Sequence, residues 1–311
     1  MAYQPGWSVV AQTVVKQERW PGGYKSGFLV RGVPMVHAGQ EVQPDRPVLR
    51  MEQAGIAVSG VSQNEIVPAG MHGRVVDITP RGGVVIEGQA ALVRGTLGAG
   101  NQVAGVLNIV QGNMLDQQLP AGAILVVSGS LTFAMLRQAL LAGVIGIVAG
   151  SITIPDFEGF LRTDLIQLLI DIDVEHAQAN LPAMTVLFTE GLGAAPIAES
   201  VLNVLRQHQG SVVLLSGITS TRWSILPELI LSFSPEEIQH HWQPIQQDLS
   251  LTLGAQVRVC GGEYEGATGY IEYIFAYEQV FPSGIQSRAV QLHLDNGLST
   301  VIPLTLAQRI G

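Results

Sequence analysis

The densest run of chemically capable side chains is DFEGFLRTDLIQLLIDIDVEH, which carries Asp156, Glu158, Asp164, Asp171, Asp173, Glu175 and His176. On a strand, side chains alternate between faces, so Asp171, Asp173 and Glu175 would share one side and offer oxygen ligands to a hard cation. On a helix the same three diverge. LIQLLI, just before them, is equally helical, so the segment reads either as a metal site or as a solvated acidic edge or helix end.

Two glycine-containing turns offer a different chemistry. Ser128–Gly129–Ser130 precedes one expected helix and Glu190–Gly191–Leu192–Gly193 another, where backbone N–H groups can hold an anion. Open α/β sheets bind ligands at the carboxyl ends of their strands, which is where these turns fall. With the guanidinium of Arg222, in the polar run SGITSTR, the candidate anion site comprises Ser128, Gly129, Ser130, Gly191, Gly193 and Arg222. The structural alternative is capping and turning, since the full Gly-x-Gly-x-x-Gly spacing is absent.

Other chemistries are excluded by composition. Lys16 and Lys25 are the only lysines, so biotinylation, lipoylation, Schiff-base formation and a P-loop lysine have no amine beyond residue 25. Cys260 is the sole cysteine, which excludes an intrachain disulfide, a redox pair and a thiolate-rich metal site; it reads as a small apolar residue in a strand. His240–His241 lacks a partner at the spacing of a zinc-binding helix. No Ser–His–Asp set or carboxylate pair can be assembled, so catalytic residues and cofactors are expected to be absent.

The elements that must position these residues fall into three rhythms. Up to about Val110, short β-rich pieces such as GFLVRGVPMV and GRVVDITP are punctuated by Gly and Pro, as in a small barrel or sandwich. AILVVSG and VIGIVAGS are continuous apolar runs suited to strands buried on both faces, and SLTFAMLRQALLAG between them reads as a helix. AMTVLFTEG, APIAESVLNVLRQHQG and SVVLLSG repeat the pattern. SPEEI carries Ser234 as an N-cap and Pro235 at the first helical position. From Leu251 the chain alternates like strands again, with a hairpin expected at Asp295–Asn296–Gly297. The expected organisation is a β-rich domain over 1–112, an α/β domain with a mainly parallel sheet over 118–225, a helical linker over 226–249 and a β-barrel over 250–311.

Within the first segment, HAGQEVQPDRPVLRM and VSQNEIVPAGMHGRVVDITPRGGVVIEGQAAL resemble the two halves of a biotin- or lipoyl-carrier domain. Asn64–Glu65–Ile66 and Gly73 match the second half, but the acceptor position falls on Val61, between Gly60 and Ser62. Val61 offers no amine, so the resemblance implies a barrel-sandwich hybrid without its swinging arm. LGAQVRVCGGEYEGATGYIEYI resembles a KOW motif, with Gly261–Gly262, Gly266 and Gly269, and implies an SH3-like barrel. Many such barrels contact RNA, ribosomes or RNA polymerase. The central AGVIGIVAGS is similar in a general way to swivelling or protease-associated α/β domains, which implies docking more than catalysis.

Charge weighs these implications. The chain is 47% hydrophobic and 13% charged, against a usual charged share of about 25%, so its surface is either neutral-polar or covered by another protein. Net charge is −9, and from Ser250 onward three arginines face five acids without a lysine. Phosphate binding draws on basic faces, which argues against nucleic acid as the principal partner. No basic, apolar leader pattern opens the chain and no apolar run reaches the ~18 residues of a membrane span. The expectation is a cytoplasmic, non-catalytic assembly or adaptor protein, self-associating or fitted to a protein partner. A small-ligand protein or enzyme using the anion or metal residues is the alternative, and a transcription- or translation-associated KOW protein the second.

Overall fold

The runs AILVV, GIVAG and TVLF become three adjacent parallel strands, and each is buried along its length because helices cover both faces of the sheet. They belong to a computed structural model of the chain, which describes residues 11–20, 24–25, 28–53, 66–241, 251–275 and 277–309. Two compact units make up the chain, Met1–Ile245 and Gln246–Gly311.

The first unit opens with β1 (Ala11–Arg19), β2 (Tyr24–Lys25), β3 (Phe28–Pro34), β4 (Glu41–Val42), β5 (Pro47–Gln53), β6 (Ile66–Pro68), β7 (Gly73–Ile78), β8 (Val84–Arg94), β9 (Leu97–Ala99) and β10 (Val103–Ile109). There follow β11 (Ala123–Leu131), α1 (Phe133–Leu141), β12 (Gly146–Ile152), α2 (Ile154–Leu161), α3 (Leu165–Ile170) and α4 (Val174–Ala179). β13 (Thr185–Leu192), α5 (Glu199–Gln207), β14 (Val212–Ser216), β15 (Glu228–Ser232) and α6 (Pro235–His241) complete it. β2, β3, β5 and β6 form a small antiparallel sheet. The others join one large curled sheet in the order β4-β7-β8-β15-β14-β10-β11-β12-β13-β9, with β1 against β8.

Alternation along the central strands sorts their side chains into two cores. Leu125, Val127, Ile147, Ala149, Val186 and Phe188 face the layer of α1 to α4, packing with Leu136, Phe157 and Leu165. Ile124, Val126, Val148 and Leu187 face the other way, onto Val201, Leu202 and Leu205 of α5 and onto Val93, Leu229 and Leu231. Each fully buried side chain of this size contributes about 1.5–3 kcal/mol. A third cluster, with Val48, Leu49, Met71, Val75 and Ile86, sits among the N-terminal strands.

Three expectations change at this level. The sheet is parallel only from β10 to β13; every other pairing in it is antiparallel, so it is mixed rather than mainly parallel. Segments 1–112 and 118–225 share that sheet, because β8 pairs with β7 through Val84 to Glu87 and with β15 through Ala90 to Arg94. The stretch expected as a helical linker begins with β15, an interior strand between β14 and β8, and among its described residues only Pro235–His241 is helical. Pairing between residues 90–94 and 228–232 is set by long-range burial, which local pattern does not encode.

The second unit contains β16 (Gln256–Val259), β17 (Thr268–Ile274), β18 (Gln279–Val280), β19 (Gln286–Ser287), β20 (Ala289–Leu294), β21 (Ser299–Pro303) and β22 (Ala307–Arg309). Five of them form an antiparallel sheet in the order β21-β20-β17-β16-β22 around Val257, Val259, Ile271, Val290 and Leu292. The hairpin at Asp295–Gly297 is present, with Gly297 at φ 85° and the Leu294 N–H donating to the Leu298 carbonyl. Cys260 lies just beyond β16, half-buried, and its thiol contacts Gln308 Oε1 at 3.2 Å. Burial raises the thiol pKa and outweighs the opposing charge of Arg258, so it is not an activated nucleophile.

Candidate ligand cleft and the expected sites

The acidic segment folds into α2, α3 and α4; the Thr153 hydroxyl caps the first, and carboxylates cap the other two. Asp164 accepts the N–H of Gln167 to cap α3, and Asp173 accepts that of His176 to cap α4. Asp171 accepts from the Asp173 N–H, and Glu158 from the Leu165 N–H. Asp171 and Asp173 therefore lie in the link between α3 and α4, and Glu175 in α4, not on one face of a strand. Among the described residues no group of three or more His, Cys, Asp and Glu is placed to hold a metal ion.

The candidate anion residues separate into two places. Ser128, Gly129 and Ser130 are not a turn but the end of β11, and register sets Ser130 beside Ser151 of β12 and Ser151 beside Gly191 of β13. Residues 193–197 then cross these strand ends. The Gly193 N–H donates to the Ile152 carbonyl, the Ser151 hydroxyl to Ala195 and the Ile197 N–H to Ser128. A Cβ on Gly150 would lie 2.3 Å from the Ala195 carbonyl, which shows how closely the crossing packs. At the start of α1 the Phe133 N–H already has an anion, the carboxylate of Asp156, at 3.0 Å. Arg222 is elsewhere, in an exposed turn whose Thr221 and Trp223 bond the carbonyls of Leu169 and Ile172. Val61 lies outside the described residues.

A different set of residues, not singled out by the sequence, surrounds a cleft of about 350 Å³ in the first unit. Arg19 ends β1 there and is 1% exposed. Its Nε donates to the Pro68 carbonyl at 3.0 Å and its Nη1 to Gln102 Oε1, yet among the described residues no carboxylate pairs with it. Burial alone lowers its pKa to about 9, which leaves it a cation at pH 7. Trp20 follows, and its indole Nε1 is buried without an acceptor. Gln178, on α4 and 3% exposed, accepts the Gly100 N–H at 2.7 Å through Oε1, while its Nε2 is buried without an acceptor. All three line the same cleft, together with Met51, Val67, Ile145, Leu181 and Met184.

Energetically the arrangement is costly for the protein's own side chains to sustain. Each buried donor without a partner costs about 1–3 kcal/mol, and a buried unpaired charge more, against a total stability of about 5–15 kcal/mol for a domain. A smaller cavity of about 210 Å³ adjoins it and shares Trp20, Asn101 and Gln102. Arg19, Pro68, Gly100 and Gln178 are far apart in the chain, so only the folded sheet brings them together.

A second surface is apolar. Ile166 and Ile170 of α3, Ile172, Trp223, Ile225 and Leu226 are all exposed, Ile172 at 68% and Trp223 at 57%. They are neighbours because Thr221 and Trp223 are hydrogen-bonded to the chain at Leu169 and Ile172. Among the described residues no helix is long and apolar enough to cross a membrane. No protein-family model, curated protein or solved structure matches the chain.

Proposed function

We propose that the protein is a non-catalytic binding protein whose first unit takes a small ligand in the cleft of Arg19, Trp20 and Gln178. The observation that carries this reading is a buried guanidinium with no carboxylate beside it among the described residues. Buried charges are normally paired, and a ligand that brings the missing acceptor offsets the cost of holding Arg19 there. Native mass spectrometry of the purified protein, followed by a thermal-shift screen of small anions and neutral compounds, tests it. Retained mass or a dose-dependent rise in Tm supports the reading; neither, from a folded sample, ends it.

The exposed face of α3 and residues 172 and 223–226 favours a second role, compatible with the first: a cytoplasmic assembly or adaptor protein that self-associates. Contiguous exposed apolar side chains of this kind mark protein contact surfaces. In this reading the N-terminal strands are a barrel-sandwich hybrid without an acceptor lysine, followed by an α/β module. Gln246–Gly311 is then a KOW-like SH3 barrel that contacts protein rather than nucleic acid. Sedimentation equilibrium tests it: the wild type is expected to form dimers or larger species, and the Ile172→Glu/Trp223→Glu variant monomers. A monomeric wild type at micromolar concentration removes self-association.

A further inference from the structure

Resting on the ligand-binding reading above, we propose that the cleft takes a small monocarboxylic acid with an apolar tail, its carboxylate received by Arg19, Trp20 and Gln178. The donor set is one-sided. Trp20 Nε1 can only donate, and a guanidinium has no acceptor. Gln178 carries both functions, but the Gly100 N–H claims its Oε1 at 2.7 Å and so leaves Nε2 as the free end. A headgroup that accepts and does not donate fits all three; an alcohol or amine does not.

Charge and shape narrow the class further. Arg19 is the single charged residue among the described residues of the lining, so one negative charge is matched and a phosphate dianion is not. Its side chain is fixed in advance by Pro68 and Gln102, which lowers the ordering cost of receiving a carboxylate. The rest of the lining is largely aliphatic or thioether, with Met51, Val67, Ile145, Leu181 and Met184 offering a surface to a hydrocarbon tail. A volume of about 350 Å³ lies at the small end of ligand pockets, about 300–1,000 Å³, so the acid is a short- or medium-chain one.

Isothermal titration of the full chain with octanoate, octanamide and inorganic phosphate reads the proposal. Octanoate is expected to bind at least about tenfold more tightly than either of the others, the usual scale for losing a charged hydrogen bond. Arg19→Met is expected to abolish octanoate binding. Trp20→Phe, which deletes the indole N–H and keeps an aromatic ring, is expected to weaken it several-fold with an unchanged circular dichroism spectrum. Gln178→Glu, which sets a carboxylate where the free donor stood, is expected to abolish it as well. Equal binding of octanamide, tighter binding of phosphate, or full octanoate affinity in folded Trp20→Phe and Gln178→Glu overturns the carboxylate assignment while leaving a ligand site. Binding of none of the three, together with a flat thermal-shift screen, overturns both the assignment and the reading beneath it.

Discussion

Asp156 accepts the Phe133 N–H through one carboxylate oxygen and the Thr153 hydroxyl, at 2.7 Å, through the other, so two helix starts depend on one charge. Asp156→Ala is therefore expected to cost about 1–2 kcal/mol in urea unfolding, the scale of a lost cap strengthened by charge. The same titration repeated with millimolar Mg²⁺ or Ca²⁺ is expected to show no shift in midpoint for wild type; a cation-dependent rise would restore the metal reading of the acidic segment. His72 carries a pH dependence of opposite origin. Burial lowers its pKa, against the opposing pull of Glu237 and Asp45, so the fold favours the neutral ring. Its contribution is complete above the unfolded value of about 6.5 and is lost as pH falls through the lower folded value. His72→Gln is expected to flatten the urea-midpoint slope below about pH 6.5, and an unaltered slope would contradict the assignment. Residue types alone made the caps at Asp164 and Asp173 hard to separate from metal ligands, because a carboxylate serves both. Arg19 gave no signal at all: its importance lies in what is missing around it, and a sequence lists no environments.

At the scale of elements, β8 is the strand on which the first unit turns. Its first half pairs with β7, its second half with β15, and β1 runs along its other edge from Ala11 to Arg19. Gly88 stands at the change of partner, where a Cβ would lie 2.1 Å from the His72 carbonyl. Gly88→Ala forces that backbone apart and is expected to cost on the order of 1–3 kcal/mol, read as a lowered denaturant midpoint. A neutral effect would mean the junction is looser than its geometry. Phe157 provides the comparison for ordinary core packing: α2 is anchored by its ring edge against Phe188, 5.2 Å between centroids, and Phe157→Ala is expected to cost about 3–5 kcal/mol. The central strands were legible because helices on both faces demand unbroken apolar runs, and SPEEI was legible as a helix start because Ser234 and Glu237 bond each other's backbone N–H groups. ELILS was not, since its three apolar residues, Leu229 to Leu231, give the same signal in a strand or a helix.

For the molecule as a whole, the division after Ile245 predicts that a chain ending there folds without the second unit. A fragment ending near residue 112 is expected not to fold, because β8 and β10 would lose β15, β14 and β11. Circular dichroism and the cooperativity of unfolding of the two fragments check this, and a cooperative 1–112 fragment would separate what the sheet joins. The rhythm of short β-rich pieces and of strand–helix–strand runs had already placed the chain among mixed β and α/β proteins. The fusion of its first two segments was out of reach, since hydrogen bonds between strands more than a hundred residues apart leave no local pattern.

The pairing of β1 with β8 has a mechanical corollary. Arg19 sits at the last rung of a nine-residue ladder, opposite Val84, and Trp20 follows it directly. Peeling the N-terminal strand from the sheet must withdraw both residues from the cleft, so any molecule bound there works as a latch on that strand. Its holding strength grows with the logarithm of ligand concentration over Kd. Amide hydrogen exchange along Ala11–Arg19 should then slow selectively on saturation, making the first strand a gauge of occupancy.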